Sequence, residues 1–335
     1  MDGRPGPRPS TRAAAHHQVI EEPVTNSQDP LVEFGISAPL LWNVKAEAQR
    51  YEALGFDYLV TGEHVMFPIP VANTLVSLAA AAGATDRIKL LSGIVLAPLY
   101  PAALLAKQVA MLDVVSGGRF ELGVGVGGEF PKEFEAVGVP LNQRGARTDE
   151  ALQVIDLLLR EQDVTFNGRF TQLDGVSISP RSVQKPRLPF WVAGRKEVAM
   201  KRVARYAEGW LPYMYTPEML ADSMTKIAQF TEDAGRPAGT VRGGMFAFTC
   251  VHEDRQTALD LANQQLSKQY RQDFSQIVDK YVIAGSPDAC IARLREYVDA
   301  GARTVIFAGG CPPEYAEQNG ELIAQAVLPA FRPAP

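Results

Sequence analysis

The feature of this sequence that most constrains its fold is a regular alternation of short apolar runs and longer amphipathic segments, which begins at Leu31. The short runs are rich in β-branched and aromatic residues, as buried strands are, and the segments between them are long enough for helices. Because each helix carries the chain back to the start of the next strand, such a chain forms parallel βαβ units. The sequence therefore predicts an α/β fold.

Eight apolar runs are predicted as strands, at 32–36, 58–61, 88–95, 120–124, 190–193, 209–211, 244–251 and 304–307. Helices are predicted at 43–54, 73–85, 101–115, 144–160, 197–207, 217–234, 254–273, 287–300 and 319–328. So many strands favour a closed (β/α)8 TIM barrel over an open doubly wound sheet. Residues 164–187, which contain two glycines and prolines at 180 and 186, are predicted to be a hairpin and loop inserted after the fourth helix.

Residues 1–30 are rich in Pro, Arg and Ala and show no strand or helix period, so a flexible N-terminal arm is expected before a barrel domain at 31–335. His16 and His17, in this arm, are expected to be solvated. No apolar run approaches the roughly 18 residues of a membrane span, and no apolar stretch follows the N-terminal arginines as in a secretory signal. A cytoplasmic protein without a membrane partner is therefore expected.

The formal net charge is −5, which offers no basic face for a phosphate backbone, so nucleic acid is not expected as a partner. The three cysteines, Cys250, Cys290 and Cys311, lie too far apart in sequence for a CxxC pattern. They predict neither a disulfide framework nor a metal site, and are interpreted as small core residues. A small-molecule substrate is the expected partner.

Active sites of TIM barrels lie at the carboxyl ends of the strands, and His64 lies at the end of the second strand. An imidazole there can exchange a proton near neutral pH. The alternative is a core histidine whose nitrogens bond to the backbone. Glu63 beside it is a candidate to orient the ring or to cap the loop.

Alternate glycines follow the fourth strand, in the run Gly123-Val124-Gly125-Val126-Gly127-Gly128-Glu129. Glycines remove side chains from one face of a strand, which allows a flat ring or a phosphate to approach the backbone. The run is not a dinucleotide-fold fingerprint, because no helix is predicted directly after it and no acidic residue follows at the usual spacing. Close packing of barrel layers is the alternative interpretation.

The fifth strand ends in Gly194, Arg195 and Lys196, at the start of a predicted helix. Free N–H groups, the helix dipole and two cations favour an anion at this position, although an ordinary solvated helix start is the alternative. Four aromatic residues fall just past strand ends and are candidates for the wall of an apolar pocket: Trp42, Phe67, Tyr213 and Tyr215.

Over residues 31–330 the chain resembles the luciferase-like family of flavin- and deazaflavin-dependent oxidoreductases. The resemblance rests on several motifs in order: Gly55-Phe56-Asp57 leading to Gly62-Glu63-His64, Ser116–Gly125 (SGGRFELGVG), Glu133–Pro140 (EFEAVGVP), Arg144–Ala151 (RGARTDEA), Phe166–Phe170 (FNGRF), Gln184-Lys185-Pro186 and Ala207–Trp210 (AEGW). It implies a barrel that holds an isoalloxazine-like ring at its C-terminal mouth.

The resemblance also implies roles for named residues. A non-proline cis peptide behind the ring would fall at Ile94–Val95, within one residue, and His64 would lie beside the ring. The cofactor phosphate would contact Gly194, Arg195 and Lys196. The remaining implied residues are Gly125, Val126 and Gly127 beside the cofactor and Glu129 as an acid that assists catalysis in some deazaflavin relatives.

The family divides between FMN and the deazaflavin coenzyme F420, and this chain is more similar to the deazaflavin branch, with FMN as the alternative. The resemblance implies a hydride transfer between F420 and a small organic substrate, and its relatives often form dimers. Three alternatives remain open: an FMN-dependent monooxygenase, a barrel that carries a flavin without turnover, and a non-redox lyase that acts on a phosphorylated substrate.

Overall fold

A computed structural model of the chain describes residues 31–332 and confirms the predicted TIM barrel. The expected arm at 1–30, with His16 and His17, lies outside the described residues. The eight barrel strands are β1 (Glu33–Ser37), β2 (Tyr58–Thr61), β3 (Lys89–Ser92), β5 (Phe120–Gly125), β8 (Phe190–Ala193), β9 (Gly209–Leu211), β10 (Arg242–Val251) and β12 (Ala302–Gly309). They pair in parallel, and β12 closes the barrel by pairing with both β10 and β1.

The third predicted strand is not continuous, because β3 ends at Ser92 and a two-residue strand, β4 (Val95–Leu96), follows. Leu91 pairs with Glu121 and Val95 with Val124, so β3–β4 carries one extra residue against β5, as a bulge does. Where the backbone pairing of β3 with β5 is interrupted, the Ser92 side chain supplies a hydrogen bond instead, since its Oγ accepts from the Gly123 N–H at 2.7 Å. The cis peptide is Gly93–Ile94, one residue before the position that the resemblance implied.

The helices are α1 (Val44–Ala53), α2 (Thr74–Ala82), α3 (Ala102–Val115), α4 (Pro131–Ala136), α5 (Arg144–Arg160), α6 (Glu197–Tyr206), α7 (Pro217–Asp233), α8 (Arg255–Tyr270), α9 (Val278–Tyr281), α10 (Pro287–Asp299) and α11 (Pro313–Leu322). Four of them begin after a side chain that accepts an N–H of the first turn: Asn73, Thr216, Asp254 and Ser286. These caps explain why the predicted starts agree closely with the structure.

Three short elements were not predicted: α4, α9 and the strand β11 (Ile283–Gly285), which pairs with β10. Each is too short to show a helix or strand period. The prediction that no helix directly follows the glycine run was wrong, because α4 begins at Pro131. The last helix was predicted at 319–328 but spans Pro313–Leu322, and π- and 3-10-helical turns continue to Phe331.

The insertion is the predicted hairpin, formed by the antiparallel strands β6 (Val164–Asn167) and β7 (Gln172–Val176), and it follows α5. The loop after the hairpin is fixed by Asp113, whose buried carboxylate accepts from the Ser182 hydroxyl at 2.6 Å and from the Gln184 amide at 2.7 Å. Because two polar groups of the loop share one buried acceptor, the insertion is held to the barrel by hydrogen bonds.

The N-terminal end of the barrel is closed by a charge network that consists of Glu33, Tyr58, Lys89, Glu121, Trp191 and Arg242. Glu121 accepts from the Tyr58 hydroxyl at 3.0 Å and from the Trp191 indole at 2.5 Å. Arg242 donates to Glu33 at 2.6 Å and to Glu121 at 3.4 Å. Burial raises the pKa of Tyr58 far above its ordinary value, so it remains a neutral donor. The polar groups of this end are thus paired with one another, and active sites of TIM barrels lie at the opposite, C-terminal end.

No helix within residues 31–332 combines the length and the apolar character that crossing a membrane requires.

Candidate active site

The floor of the C-terminal mouth is made of backbone from three neighbouring strands. A Cβ on Gly62 would lie 2.7 Å from the carbonyl oxygen of Gly93, and a Cβ on Gly123 or Gly125 would overlap Ser92 or Ile94. The glycines at the end of β5 are therefore needed for packing against the bulge, which is the alternative interpretation of this run. Gly93 is itself only half-buried, and a Cβ on it would overlap the Val60 side chain at 2.4 Å, so this position too must be a glycine.

Glu63 maintains the shape of the bulge and does not contact His64. Its buried carboxylate accepts from the Leu96 N–H and from the Tyr100 hydroxyl, both at 2.9 Å. Burial raises the pKa of Glu63 above its ordinary value. Of the two roles that the sequence left open for this residue, bonding to the loop backbone agrees with the structure and orienting the histidine does not.

His64 is held instead by Glu133, a residue on α4. Oε1 of Glu133 lies 2.9 Å from Nδ1 of His64, and Oε2 accepts from the Val65 N–H at 2.7 Å. Glu133 is only 1% exposed, so both oxygens of a buried carboxylate are used to fix this loop. An ionised carboxylate can only accept, which assigns the proton to Nδ1 and leaves Nε2 as the free nitrogen.

Two aromatic rings define the position of the imidazole. Phe67 stacks on His64 with centroids 4.3 Å apart, and Phe130 meets the imidazole edge-on at 5.7 Å. Phe67, which was predicted for the pocket wall, therefore lies directly beside His64. The imidazole is only half-buried, so it remains open to a small molecule.

Sequence reasoning missed Glu133 as a partner of His64. The residue lies in one of the motifs that carry the family resemblance, but no role was assigned to it because α4 was not predicted. Sixty-nine residues separate the two side chains, and no local spacing could have paired them.

A second group of predicted residues comes together across the mouth. The Tyr213 hydroxyl donates to Glu129 at 2.8 Å, and the Arg195 guanidinium lies over the Tyr213 ring at 4.8 Å. Burial, together with the neighbouring Glu129 charge, raises the pKa of Tyr213 to about 12. Glu129 itself is exposed, so its carboxylate has further capacity to accept.

The start of α6 is rigidly positioned. Gly194 adopts a φ of 128°, where a side chain would be strained, and its carbonyl accepts from the buried Trp210 indole at 2.8 Å. The Arg195 carbonyl accepts from the Tyr215 hydroxyl at 3.0 Å. The side chains of Arg195 and Lys196 are exposed. The backbone of this predicted anion site is thus fixed, while its cations face solvent.

Two predicted pocket residues are placed elsewhere. Trp42 is 83% exposed, and Tyr215 is 3% exposed with its hydroxyl bound to backbone. The position of Trp42 follows from the loop after β1, which turns its side chain outward. Tyr215 is buried because it supports the α6 start, so it does not form an open wall.

Two cavities of about 380 Å³ each lie beside the His64 loop. One contains His64 itself, with Glu63, Val65, Asn73, Leu96, Leu99, Tyr100 and Val137. The other, which we name the vestibule, is lined by Met66, Phe67, Pro68, Phe130, Pro131, Lys132 and Arg271. Neither cavity includes Gly194, Arg195 or Lys196, so the predicted phosphate contact there remains a prediction.

Comparisons with known proteins agree with this fold. An uncharacterized protein of Mycobacterium tuberculosis is 31% identical over 50% of this chain and 57% of its own length, so the match spans little more than half of that relative. The F420-dependent glucose-6-phosphate dehydrogenase of Microbacterium testaceum is 25% identical over 89% of this chain and 99% of its own.

Among solved structures, the monooxygenase RslO1 from Streptomyces bottropensis superposes with a TM-score of 0.75 and 25% identity, over 90% of this chain and 100% of its own. A sequence model of the luciferase-like monooxygenase family matches residues 35–304, which is most of the barrel. The chain belongs to the luciferase-like monooxygenase family.

Proposed function

We propose that this chain is an F420-dependent oxidoreductase that exchanges a hydride between the deazaflavin and a small organic substrate. The observation that carries the proposal is the arrangement of two acid–base groups at one barrel mouth. His64 is fixed by the buried Glu133, and Glu129 is fixed by Tyr213. Redox chemistry at a flavin-type ring needs such groups because a substrate that gains or loses a hydride usually also exchanges a proton.

The residues at the mouth fit a flat heteroaromatic ring. Gly93, Ile94, Val126 and Gly127 are partly exposed, whereas Val95 and Gly125, which the resemblance also implied, are buried beneath them. We propose that the four partly exposed residues would hold the ring, with Gly194, Arg195 and Lys196 near its phosphate. Bound there, the cofactor would supply the hydride chemistry.

The protein's own part concerns protons and position. With Nδ1 bonded to Glu133, Nε2 of His64 is the atom available to give a proton to a substrate oxygen or to take one from it. Glu133 acts through His64 and is a positioning residue. Phe67 and Phe130 restrict rotation of the ring, which keeps Nε2 directed to one place.

On the other side of the mouth, Glu129 is the proposed second acid–base group. Tyr213 donates to one oxygen and stays protonated over the physiological range, because its pKa is raised to about 12. The other carboxylate oxygen is then available for substrate. Arg195, whose guanidinium lies over the Tyr213 ring, adds a positive charge on this side of the mouth.

F420 is preferred to FMN because the F420-dependent relative matches this chain over 89% of its length. The monooxygenase RslO1, with the same fold and 25% identity, supports the reaction class of the alternative, that of a monooxygenase. A barrel that carries a flavin without turnover and a lyase for phosphorylated substrates have no observation in their favour beyond the shared anion-binding geometry.

The test is a parallel titration of the purified protein with F420 and with FMN, followed by tryptophan fluorescence. Trp210 is the useful reporter because its indole bonds to Gly194 at the proposed phosphate contact, and Trp210→Phe is the matched control for its share of the signal. We expect micromolar binding of F420 and weaker binding of FMN. Failure of both to bind would refute the proposal, and tighter binding of FMN would establish the alternative.

Reduced F420 is then mixed with ketone, aldehyde and alkene probes, and its absorbance is followed with and without His64→Ala. Turnover that is lost in this variant supports the assigned role of His64. Bound cofactor without turnover in any of these assays would favour the non-catalytic barrel.

We also propose that the chain forms a homodimer through α2 and α3. Their exposed positions carry no charged residue: Val76, Ala79, Ala80, Leu104, Gln108, Met111 and Val115. The partly exposed Lys107 beside them donates to the Ser179 carbonyl. A second copy is the proposed partner, because an uncharged face can meet itself across a twofold axis without like-charge repulsion. Sedimentation of wild type and Met111→Glu tests it, and a wild-type monomer at micromolar concentration would contradict it.

A further inference from the structure

We propose that the vestibule binds the anionic end of an organic molecule whose apolar body points toward His64. The inference rests on the proposed function, since it names the chemical class of the molecule that the same site would take. The molecule carries a carboxylate or phosphate on an aromatic or aliphatic body. Either the substrate or the cofactor, which carries a phosphate, could supply that anion.

The first observation is the composition of the wall. Five apolar side chains and two cations, Lys132 and Arg271, line a cavity of about 380 Å³. Neither cation forms an ion pair with any carboxylate of residues 31–332. Two uncompensated positive charges beside an apolar wall complement a ligand with one charged end.

The second observation is the backbone at Arg271. The residue ends α8 in the left-handed conformation, with φ 51° and ψ 40°. Glycine is strongly preferred there, and asparagine is next, because a side chain on Cβ is strained in this region. An arginine at this position is unfavourable for the helix end, which points to a role for its side chain rather than for its backbone.

The third observation is the connection to the histidine. Phe67 lines the vestibule and also stacks on His64 at 4.3 Å. Phe130 lies edge-on to both rings, 4.9 Å from Phe67 and 5.7 Å from His64 between centroids. A ligand that is anchored at Lys132 and Arg271 would therefore lie against rings that touch the imidazole. The vestibule thus selects a ligand by length, since the body must extend from the two cations to Phe67 and Phe130, the rings that contact His64.

The experiment measures binding of 2-naphthoate by calorimetry, without cofactor and again with saturating F420 or FMN, and 2-naphthamide is the uncharged control ligand. The variants are Arg271→Gly, Arg271→Lys and Lys132→Gln. Arg271→Gly is informative because glycine suits the left-handed helix end, so its urea midpoint should equal or exceed that of wild type. Arg271→Lys retains the charge.

We expect naphthoate to bind wild type more tightly than naphthamide, and Arg271→Gly and Lys132→Gln each to weaken naphthoate about fivefold, as the loss of an exposed ion pair does. Arg271→Lys should change it less. Naphthamide should not respond to the variants. Higher salt should reduce the difference between the two ligands, because the cations face solvent.

The cofactor arm separates the two sources of the anion. If Arg271→Gly weakens F420 or FMN by the same factor and saturating cofactor displaces naphthoate, the vestibule binds the cofactor's anion. If cofactor affinity is unchanged and naphthoate still binds, it accepts the substrate's anion. The inference is overturned if naphthoate and naphthamide bind with equal affinity in every variant, or if naphthoate does not bind wild type at millimolar concentration. The proposed function is judged separately, by the cofactor titration.

Discussion

The two ends of this barrel both contain buried or half-buried charged groups, but they use them differently. At the N-terminal end, Glu33, Glu121 and Arg242 pair with one another and with neighbouring donors, which leaves the charges compensated. At the C-terminal end, Glu133 has a single histidine as its side-chain partner, and Lys132 has no ion pair among residues 31–332. The difference shows where polar groups stabilise the fold and where they remain available for a ligand.

The comparison is sharpest at the level of single carboxylates. Glu121 accepts from Tyr58, Trp191 and Arg242, so a further partner would gain little from it. Glu133 is as deeply buried, but one of its oxygens bonds to Nδ1 of the His64 imidazole, and Nε2 of that imidazole is free. Substitutions at the first end should therefore mainly alter stability, and substitutions of His64 and Glu133 at the second end should mainly alter catalysis.

The largest effect is expected for His64→Ala at the C-terminal end. Loss of a general acid–base group typically lowers turnover by about 100-fold or more, because the proton then has to come from water. Single-turnover oxidation of reduced F420 with a responsive substrate measures it. The urea midpoint should fall modestly, because the buried Glu133 loses its histidine partner but keeps the Val65 N–H. Phe56→Leu, in the core away from the mouth, is the control for general loosening. Unchanged turnover in His64→Ala would remove the histidine from the mechanism.

The next effect is expected for Arg242→Met at the N-terminal end. Removing this cation leaves Lys89 paired with Glu33 and leaves Glu121 without an ion pair in this network, which should reduce the free energy of unfolding by about 2–3 kcal/mol. Urea unfolding measures the loss, and cofactor affinity of the folded protein should not change. Lys226→Met removes an exposed pair with Glu197 and should cost less than about 1 kcal/mol. Equal losses in the two variants would contradict the comparison.

A smaller effect is expected for Glu133→Gln, which keeps shape and volume but can present an N–H to the imidazole. By analogy with carboxylates that orient metal-bound histidines, turnover should fall by about tenfold. If Glu133 had a purely structural role, the pH dependence of turnover would not change. If it acts through His64, the part of the pH profile that reports protonation of the histidine should shift. Glu133→Asp, which retains the charge, should recover part of the rate. An unchanged pH profile would mean that Glu133 serves only the Val65 backbone.

The smallest effect concerns Glu63. Burial raises its pKa in the folded state, so the folded protein holds this proton at pH values where the unfolded chain has lost it. The stability contributed by the protonated form is therefore present below the ordinary pKa of glutamate and is lost as pH rises through the raised value. Glu63→Gln should flatten this dependence of the urea midpoint between about pH 4 and neutrality. The raised pKa of Glu63 would be contradicted if the urea midpoint of wild type increased with pH over this range by more than the urea midpoint of Glu63→Gln.

Most of the barrel could be predicted from the sequence because its strands and helices are locally encoded. The eight apolar runs and the caps at Asn73, Thr216 and Ser286 act within a few residues of where they stand. The short elements α4 and β11 were not predicted, because they are stabilised by packing against distant parts of the chain. The cis peptide after Ser92 was implied by the family resemblance, but the register of the bulge that contains it depends on the hydroxyl contact to Gly123, which spacing does not reveal.

For the site, position along the strands predicted which residues reach the mouth but not which of them meet. His64 and Phe67 stack, and Glu129, Arg195 and Tyr213 form a contact chain, but nothing in their spacing along the sequence indicated these contacts. The partnership of His64 with Glu133 could not be predicted, because it depends on how the loop after β5 folds over the mouth. Trp42 shows the limit of the same rule, since a residue just past a strand can turn either way.

The glycine packing beneath the mouth has a consequence for changing this protein's selectivity. Side chains on Gly123 or Gly125 would collide with Ser92 or Ile94, so the strands themselves offer almost no positions that an engineer or natural variation can alter without displacing the bulge. Diversity in ligand choice must then come from the surrounding loops, above all residues 65–68, 129–132 and 271. Libraries confined to those loops should retain folded members, whereas randomised strand ends should yield few.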